Sequence, residues 1–511
     1  MKKLLKIVTS RAFPMVIIFL IQLVLIIEMF IILKENFIWF YVVSFVLSVI
    51  LTVVLINKDT NPDYKITWII PILTLPLFGS FLYLFFAKNK FAERVTKGMA
   101  STTSSFHFLM SNEENTLEEI NDPDAYLQSR YLERYASCPV YRNTKSKYYP
   151  LGELYFEDLI EDIKNAKSFI FLEYFIIDKG YVWDTLVSLL EKKIEEGVDV
   201  RLIYDDFGCM NKMGRDFGNR LRASGIKYQA FNPIKYIVLP QHNNRNHRKI
   251  AVIDGKIGYT GGLNLADEYI NKIVRFGHWK DSGVRIEGQA VWSLTVFFLS
   301  MWNSLSDEFL NFNDYLPKDF FKEEGFVPDK GFVQPFADEP RDKETVGENT
   351  YLNIIYRAKK YVYITTPYLI LSSEMLTALT NAAKGGIDVR IITPYIADKK
   401  MVFMVTRSYY EPLLAAGVKI YEYKPGFIHA KNIVSDDDVA IVSTINVDFR
   451  SLYLHFENGV WFFDSPIVKD IRDDFIKTME VSQRKTLQEM NSRFFAVKIA
   501  GSILKIFAPL L

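Results

Sequence analysis

Residues 247–254 read His-Arg-Lys-Ile-Ala-Val-Ile-Asp, and residues 429–436 read His-Ala-Lys-Asn-Ile-Val-Ser-Asp. In both segments a lysine follows the histidine by two positions, and an aspartate follows the lysine by five. The apolar residues between them predict a buried β-strand, in which alternate side chains leave the same face. Each segment therefore predicts a strand that presents a histidine and a cation together.

The elements around these two segments also repeat. The matching stretches are 166–174 with 358–366, 197–203 with 386–392, and 223–227 with 415–419. Helices that alternate with short apolar strands are typical of an α/β fold, and a repeat of this length indicates a duplicated domain. We predict two duplicated α/β lobes in a pseudo-twofold arrangement. The predicted divisions are a connecting segment at 91–147, a first lobe at 148–318, a linker at 319–348 and a second lobe at 349–490.

The N-terminal 90 residues differ from the rest of the chain in their hydrophobicity. Apolar runs of the length that crosses a bilayer occupy residues 13–33, 37–56 and 66–86. We predict a membrane anchor of two to three transmembrane helices, the third bent at Pro71, Pro76 and Gly79. Basic residues both precede the first run and follow the third, and three full crossings cannot place both flanks in the cytoplasm, so either one run does not cross or one flank departs from the positive-inside rule. From the basic flank beside them, we predict that the lobes are cytoplasmic.

The C-terminal residues 491–511 place lysines among apolar residues, as in a helix that lies on a membrane surface. A helix of the protein core is an equally good interpretation of this tail.

Composition excludes several classes of protein. The 511 residues carry 61 Lys plus Arg against 60 Asp plus Glu, so no excess positive charge supports binding to nucleic acid. The two cysteines, Cys138 and Cys209, lie far apart and favour neither a zinc finger nor a disulfide framework. No Gly-rich loop with a Lys-Ser/Thr ending is present, so a nucleotide cofactor is not expected.

The paired motifs predict chemistry on a phosphodiester. One histidine can attack phosphorus and the other can protonate the departing alkoxide, while lysines balance the charge on the phosphoryl oxygens. A turn at Asp254-Gly255 would return the chain so that an asparagine joins each set. Structural histidines or a metal site are the alternatives; a metal is disfavoured because a lysine would lie beside it. The predicted catalytic residues are His247, Lys249, Asp254, His429, Lys431 and Asp436, and the predicted substrate-binding residues are Asn264, Asn446, Glu287 and Glu457.

Other positions are weaker candidates, each with a structural role as the alternative. They are Glu173, Tyr174 and Tyr368 after equivalent strands, Trp279, Lys280 and Asp281 in a short polar segment, and Arg245 and Arg248 beside the first histidine.

These motifs resemble the phospholipase D superfamily, and within it the bacterial cardiolipin synthases. The resemblance is carried by both motifs and by residues 246–250, 259–269, 279–281, 285–288 and 448–451. It implies that a phosphatidylglycerol donates its phosphatidyl group to a histidine, with His247 as nucleophile and His429 as acid, and that a second phosphatidylglycerol accepts it to give cardiolipin. It also implies a multi-pass protein of the plasma membrane that needs no metal or cofactor. An additional apolar run and Ser443, where glycine is common, depart from the family pattern.

Three further functions remain open at the level of sequence. A hydrolytic phospholipase D would use the same residues with water as the acceptor. A phosphodiesterase for nucleic acid is disfavoured by the balanced charge. A membrane scaffold with an inactive site is disfavoured because both motifs are complete.

Overall fold

The computed structural model describes residues 24, 28, 37–58, 60–86, 93–99, 116–214, 216–233, 244–317, 326–340 and 344–510. The predicted apolar run at residues 13–33 therefore lies outside the described residues except for Val24 and Glu28.

The helices connect and cover two sheets. In chain order they are α1 Phe37–Ile56, α2 Pro62–Thr74, α3 Pro76–Phe86, α4 Pro123–Ala136, α5 Gly152–Lys164, α6 Tyr181–Glu195, α7 Asp206–Cys209, α8 Phe217–Ala223, α9 Val291–Leu305, α10 Val346–Arg357, α11 Ser373–Lys384, α12 Lys400–Ser408, α13 Tyr410–Ala415, α14 Phe449–Tyr453, α15 Ile467–Glu480, α16 Leu487–Asn491 and α17 Phe495–Ile506.

The strands of the first half form one sheet in the order β1-β8-β6-β5-β2-β3-β4. Its strands are β1 Thr144–Tyr149, β2 Phe169–Tyr174, β3 Asp199–Asp205, β4 Lys227–Phe231, β5 Lys249–Ile253, β6 Ile257–Gly261 and β8 Gly283–Gly288. Strand β2 is buried along its whole length and pairs parallel with β3 and antiparallel with β5. The first motif thus lies in the middle of the sheet.

The second sheet repeats this order as β9-β16-β15-β14-β10-β11-β12, with β17 added at the far edge. Its strands are β9 Phe332–Asp338, β10 Tyr361–Thr365, β11 Asp388–Pro394, β12 Lys419–Tyr423, β14 Asn432–Ser435, β15 Val439–Ser443, β16 Glu457–Phe463 and β17 Ser482–Arg484. The matching order agrees with the predicted duplication. The interpretation of residues 319–348 as a linker is wrong for β9, which takes the edge position that β1 takes in the first sheet.

Two helices fill the space between the sheets. Helix α9 is buried from Val291 to Trp302 and contacts strands of the first sheet as well as β9. Helix α15 contacts the second sheet and β1. Since each helix touches both sheets, the apolar interior is shared, and the lobes pack as one body through their inner faces.

The predicted turn at Asp254-Gly255 is confirmed. Both residues have positive φ, 55° and 67°, which closes the tight hairpin between β5 and β6. In the second lobe Asp436 and Asp437 adopt φ of 56° and 65° between β14 and β15. The two motifs thus end in the same kind of hairpin.

The described N-terminal helices pack as a small group. Helices α1, α2 and α3 contact one another around a cluster that includes Leu55, Trp68 and Ile72. The third apolar run is divided at Leu75, whose amide donates to the carbonyl of Pro71, so the predicted bend is present. Across the described residues, no helix has both the length and the apolar character needed to cross a membrane.

The C-terminal helix α17 packs on α12 and α2, and Thr67 Oγ1 donates to the carbonyl of Ile506 at 2.8 Å. Apolar side chains are exposed at its start, where Phe494 precedes the helix and Phe495 begins it, 77% and 74% exposed, and farther along at Ile499 and Ile503. The tail therefore combines a docked inner face with an apolar outer face.

Candidate active site

The two motifs meet through their main chains where the lobes join. The amide of His247 donates to the carbonyl of Phe456 at 2.9 Å, and that of His429 donates to the carbonyl of Lys280 at 2.7 Å. The second contact belongs to a two-stranded parallel pair, β7 His278–Lys280 with β13 Gly426–Ile428. Each histidine is thus held by a strand end of the opposite lobe, in a reciprocal arrangement.

The partner of the first histidine is a carboxylate from the second lobe. His247 Nδ1 lies 2.9 Å from both carboxylate oxygens of Glu457, which is fully buried at the start of β16. The ring of Phe175 packs against the imidazole with centroids 5.0 Å apart. Because a carboxylate on Nδ1 favours the tautomer with the proton there, Nε2 is left with a lone pair for chemistry.

The second histidine has the mirror arrangement. His429 Nδ1 lies 2.7 Å from Oδ2 of Asp281, a fully buried residue of the first lobe. Trp279 and Tyr269 flank the ring at centroid distances of 5.4 and 5.6 Å. Each histidine is therefore oriented by an acid that the other lobe supplies.

The two lysines lie directly beneath the histidines. Lys249 Nζ donates to the carbonyl of His247 at 2.6 Å, and Lys431 Nζ donates to the carbonyl of His429. Burial lowers the pKa of Lys249 well below its ordinary value, and it lowers the pKa of Lys431 to about 8, although Asp281 acts in the opposite direction. A bound phosphoryl group would supply the anion that such buried cations need.

Burial and the lysines also keep both histidines neutral. Burial, followed by Lys249, lowers the pKa of His247 well below its ordinary value. Burial and Lys431 lower the pKa of His429 to about 4, with Asp281 opposing them. At neutral pH each ring therefore carries one proton, on Nδ1, in the absence of substrate.

The pKa values of the two carboxyl groups are shifted in opposite directions. Burial raises the pKa of Glu457 well above its ordinary value, and Lys249 only partly compensates. The pKa of Asp281 is lowered despite burial, because His429 and Lys431 stabilise the carboxylate. The imidazolium form of His429 therefore has an ionised partner.

The predicted asparagines both line the cleft between the motifs. Asn264 Oδ1 accepts from the amide of Ile176 at 2.9 Å, and its Nδ2 donates to the hydroxyl of Tyr269 at 2.7 Å. Asn446 Oδ1 is buried and has no hydrogen-bond partner among the described residues. Asn446 is thus the amide of the pair with an acceptor atom left for a ligand.

The predicted aspartates do not reach this cleft. Asp254 lies at the opposite end of β5 from His247, and accepts hydrogen bonds from the amides of residues 167–169 at 2.7 to 3.0 Å. Asp436 accepts from the amides of residues 359–361 in the same way. Seven residues of extended chain span roughly 20 Å, so these carboxylates fasten a loop to a hairpin far from the histidines.

Glu287 is also far from the cleft. It pairs across the sheet with Ile257, beside the hairpin turn, and its carboxylate accepts from Arg285 Nη1 at 2.6 Å. Although both were predicted to bind substrate, Glu287 and Glu457 do not occupy equivalent positions of the two lobes. The equivalent of Glu457 is Asp281, since each follows an aromatic residue by two positions and binds Nδ1 of a motif histidine.

The weaker candidates occupy different positions relative to the cleft. Tyr368 lines the cleft and donates to Asp398 Oδ2 at 2.5 Å. Lys280 is held by Asp474 at 2.8 Å, and Arg248 by Glu339 at 3.2 Å, so both are structural ion pairs. Glu173 is fully buried behind the motif, accepts from Asn246 Nδ2 at 2.7 Å, and has a pKa that burial raises to about 7.

The cleft has a volume of about 450 Å³ and mixes aromatic, cationic and acidic side chains. It is lined by Phe175, Ile176, Phe207, Lys212, Arg245, His247, Asn264, Glu268, Tyr269, Arg275, Phe276, Trp279, Tyr368, Ile370, Asp398, Lys399, Val402, Phe427, His429, Asn446, Asp448, Phe449, Arg450, His455 and Ala508.

One group of side chains in the cleft has the spacing of metal ligands. Ligand atoms of His247, His455 and Glu457 lie within 4.8 Å of one another. The field of Lys249 acts on all three groups, which disfavours a cation at this position. The group suits an anion better than a metal.

Two family models match the chain. The model described as "Cardiolipin synthase, PLD-like domain" matches residues 159–289 and again residues 351–479, one match for each lobe. The model described as "Phospholipase_D-nuclease N-terminal" matches residues 46–88.

Relatives and solved structures are similar over most of the chain. An uncharacterized protein of Streptococcus mutans serotype c is 42% identical over 460 residues, which cover 89% of this chain and 98% of the relative. The cardiolipin synthase of Geobacillus kaustophilus is 35% identical over 469 residues, or 91% and 92% of the two chains. Phosphatidylserine synthase of Haemophilus influenzae shares the fold with a TM-score of 0.58 at 14% identity, covering 76% of this chain and all of that one.

Proposed function

Since this chain belongs to the cardiolipin synthase family of phospholipase D-like proteins, we propose that it transfers a phosphatidyl group from one phosphatidylglycerol to another, giving cardiolipin and glycerol. The observation that carries the proposal is the cleft itself. It holds two histidines, each with Nδ1 on a buried carboxylate and each above a buried lysine. Together these side chains can break one phosphodiester bond and form another.

In the first half of the reaction, Nε2 of one histidine bonds to phosphorus and the bond from phosphorus to the glycerol oxygen breaks. The other histidine gives a proton to that oxygen, so glycerol leaves as an alcohol. Lys249, Lys431 and the Nδ2 groups of the asparagines donate to the non-bridging oxygens, where negative charge accumulates.

In the second half, a hydroxyl of the second phosphatidylglycerol attacks the phosphohistidine. It passes its proton to the histidine that had acted as acid, the nitrogen–phosphorus bond breaks, and cardiolipin forms. One phosphodiester is exchanged for another, so no nucleotide or external energy source is needed.

We assign His247 as the nucleophile and His429 as the acid. Burial and Lys249 lower the pKa of His247, which suits a ring that must stay neutral to attack. The ionised Asp281 supports a proton on His429 when an anionic substrate is bound. This agrees with the assignment implied by the resemblance.

We also propose that the reaction takes place at a lipid surface. Helix α1 exposes apolar side chains such as Trp39 and Val43, which are 73% and 57% exposed, and α17 adds an apolar outer face. Exposed apolar side chains on neighbouring elements are typical of a surface that meets lipid. A cleft against the bilayer would favour a lipid acceptor over water.

The test is to add the purified full chain to phosphatidylglycerol vesicles and to quantify cardiolipin, glycerol and phosphatidic acid together. We expect cardiolipin to exceed phosphatidic acid, with about one glycerol released per cardiolipin, and added glycerol to reverse the reaction because the intermediate is common to both directions. Phosphatidic acid as the main product, without inhibition by glycerol, would identify a hydrolytic phospholipase D instead.

A further inference from the structure

The two ends of the cleft occupy equivalent positions of the two lobes but differ in chemistry. Two residues before the motif histidine stands Arg245 in the first lobe and Phe427 in the second. The residue two positions before the buried acid is His455 at the His247 end and Trp279 at the His429 end. The residue four positions after the cleft asparagine is Arg450 at the His247 end and Glu268 at the His429 end. At these three positions one end of the cleft has a basic residue where its counterpart has an aromatic or an acidic one.

The main chain brings the three basic residues together. The amide of Phe456 donates to the carbonyl of Arg245 at 2.8 Å, so Arg245 lies beside His455. The amide of His455 in turn donates to the carbonyl of Arg450 at 2.9 Å. All three side chains line the cleft. We call this group the Arg245–Arg450–His455 pocket.

The carboxylates that face the pocket are largely engaged by the main chain. Asp205 accepts from the amides of Phe207 and Asn246 at 2.9 and 3.0 Å, and burial raises its pKa to about 6. It lies 3.5 Å from Arg245 Nη1, which is longer than a typical charge-assisted hydrogen bond. Asp448 caps α14 through the amide of Ser451 at 2.8 Å. Both carboxylates thus keep hydrogen bonds to main-chain amides as well as their attraction for the arginines.

The two arginines bring positive charge to the same part of the cleft wall. Arg245 is 2% exposed, with its guanidinium 4.8 Å above the ring of Phe207. Burial lowers the pKa of Arg450, and the positive charge of Arg245 lowers it further, while Asp448 opposes both. Two guanidinium groups that repel each other in a cleft are a typical cradle for a phosphate.

His455 gives independent evidence for a ligand. Its side chain is 9% exposed, and neither ring nitrogen has a hydrogen-bond partner in the part of the chain that the structure describes. Nδ1 lies 3.6 Å from Glu457 Oε1, and the ring centroid lies 5.5 Å from that of His247. Burying a polar ring without a partner is unfavourable, so a group in the cleft is expected to bind it.

Given the proposed transfer between two phosphatidylglycerol molecules, on which the assignment rests, we propose that the Arg245–Arg450–His455 pocket binds the phosphodiester of the second phosphatidylglycerol, the acceptor. Three carbons separate the attacking hydroxyl of that lipid from its own phosphate, so its glycerol can extend from the reacting phosphorus to the pocket. The pocket then selects an acceptor that carries an anion, and water and free glycerol gain nothing from it.

The test compares two reactions of the same phosphohistidine. Cardiolipin synthesis uses an acceptor with a phosphate, whereas exchange of labelled glycerol into phosphatidylglycerol uses an acceptor without one. We expect Arg450→Gln in the full chain to lower cardiolipin synthesis by about tenfold or more, and glycerol exchange by less than about threefold, because a hydrogen bond to a charged group contributes roughly 1.5–3 kcal/mol. His455→Phe should shift the ratio of the two rates in the same direction.

The matched control removes a cation from the other end of the cleft. Lys212 lines the cleft and pairs with Asp178 at 2.6 Å, and Lys212→Gln should leave the ratio of synthesis to exchange as in the unmodified chain. Equal losses of both reactions in Arg450→Gln and His455→Phe would overturn the pocket, while exchange shows that each variant is folded. Absence of cardiolipin from the unmodified chain would instead overturn the proposed function.

Discussion

At the scale of single residues, a histidine whose Nδ1 is engaged by a buried acid offers only Nε2 to a substrate. His247 and His429 are both held in this way, by Glu457 and Asp281. The rings are thus alike in orientation, but the pKa of Glu457 is raised and that of Asp281 is lowered. In the proposed mechanism this difference suits His247 to attack as a neutral ring and His429 to hold a proton.

The roles of the two histidines can be separated with an activated substrate. A nitrophenolate leaves without protonation, so a phosphatidyl nitrophenol needs the nucleophile but not the acid. We expect His429→Ala to lose about a hundredfold or more with phosphatidylglycerol but to release a burst of nitrophenolate. His247→Ala should give no burst. A burst from His247→Ala alone would reverse the assignment.

Asp281 is a positioning residue that acts through His429. Asp281→Asn keeps the shape of the side chain but loses the charge that favours imidazolium, so we expect kcat to fall by about a hundredfold or more with little change in KM. The activated substrate should recover much of the lost rate, which a merely misfolded variant could not do. Glu287→Gln is the control and should stay within about twofold, because its carboxylate pairs with Arg285 away from the cleft.

The lysines set the alkaline limit of activity. The pKa of Lys431 is lowered to about 8, so this side chain is charged below that pH and neutral above it. We expect kcat/KM, which reports the free enzyme, to decline as the pH rises through about 8. Lys431→Arg should remove the decline while lowering the rate, since arginine stays protonated. A flat profile to pH 10 would show that the charge of Lys431 is not needed.

At residue scale the sequence predicted the histidines, lysines and asparagines because their spacing repeats. The sequence made Asp281 only a weak candidate. The number of residues between Asp281 and His429 differs from the number between His247 and Glu457, so no repeated spacing marks the two pairs. The shared signal was a ring two positions before each acid, Trp279 and His455. Asp254 and Asp436 repeat equally well, but their carboxylates bind main-chain amides beside a hairpin and lie away from the cleft.

At the scale of elements, β9 shows what local pattern could not predict. Its sequence, Phe-Val-Gln-Pro-Phe-Ala-Asp, contains a proline and follows a polar stretch, which favours a loop. The strand is nevertheless buried throughout, because it pairs along its full length with β16 at the edge of the second sheet. Tertiary packing decides its conformation.

Helix α17 provides an element-scale test of lipid contact. Deleting the tail would also remove Ala508 from the cleft wall, so substitution of the outer face is the better change. We expect the double variant Phe494→Ser, Phe495→Ser to lose about tenfold on vesicles and little on detergent-dispersed lipid, because transferring a phenylalanine from water is worth roughly 2 kcal/mol. Tyr356→Ser, at another exposed aromatic residue, is the control. Equal losses on both substrates would indicate that α17 only packs on α12.

At the scale of the whole molecule, the matching strand order of the two sheets agrees with the predicted duplication, but the way the lobes join could not be predicted. Helix α9 touches both sheets, and α15 does the same from the second lobe. Nothing in the hydrophobic pattern of a helix specifies which of two sheets it will cover. The reciprocal contacts of Phe456 and Lys280 with the histidines depend on that packing.

The exchange of acids across the lobe boundary has a consequence for descent. A single ancestral lobe would have lacked the carboxylate for its own histidine, so it would have worked only as a pair of identical chains, each completing the other. In such a pair every mutation appears at both ends of the cleft. Joining the two copies in one gene removed this constraint, and Arg245 and Phe427 became free to differ. In the proposed reaction, this freedom gives one phosphodiester site separate places for a donor and an acceptor.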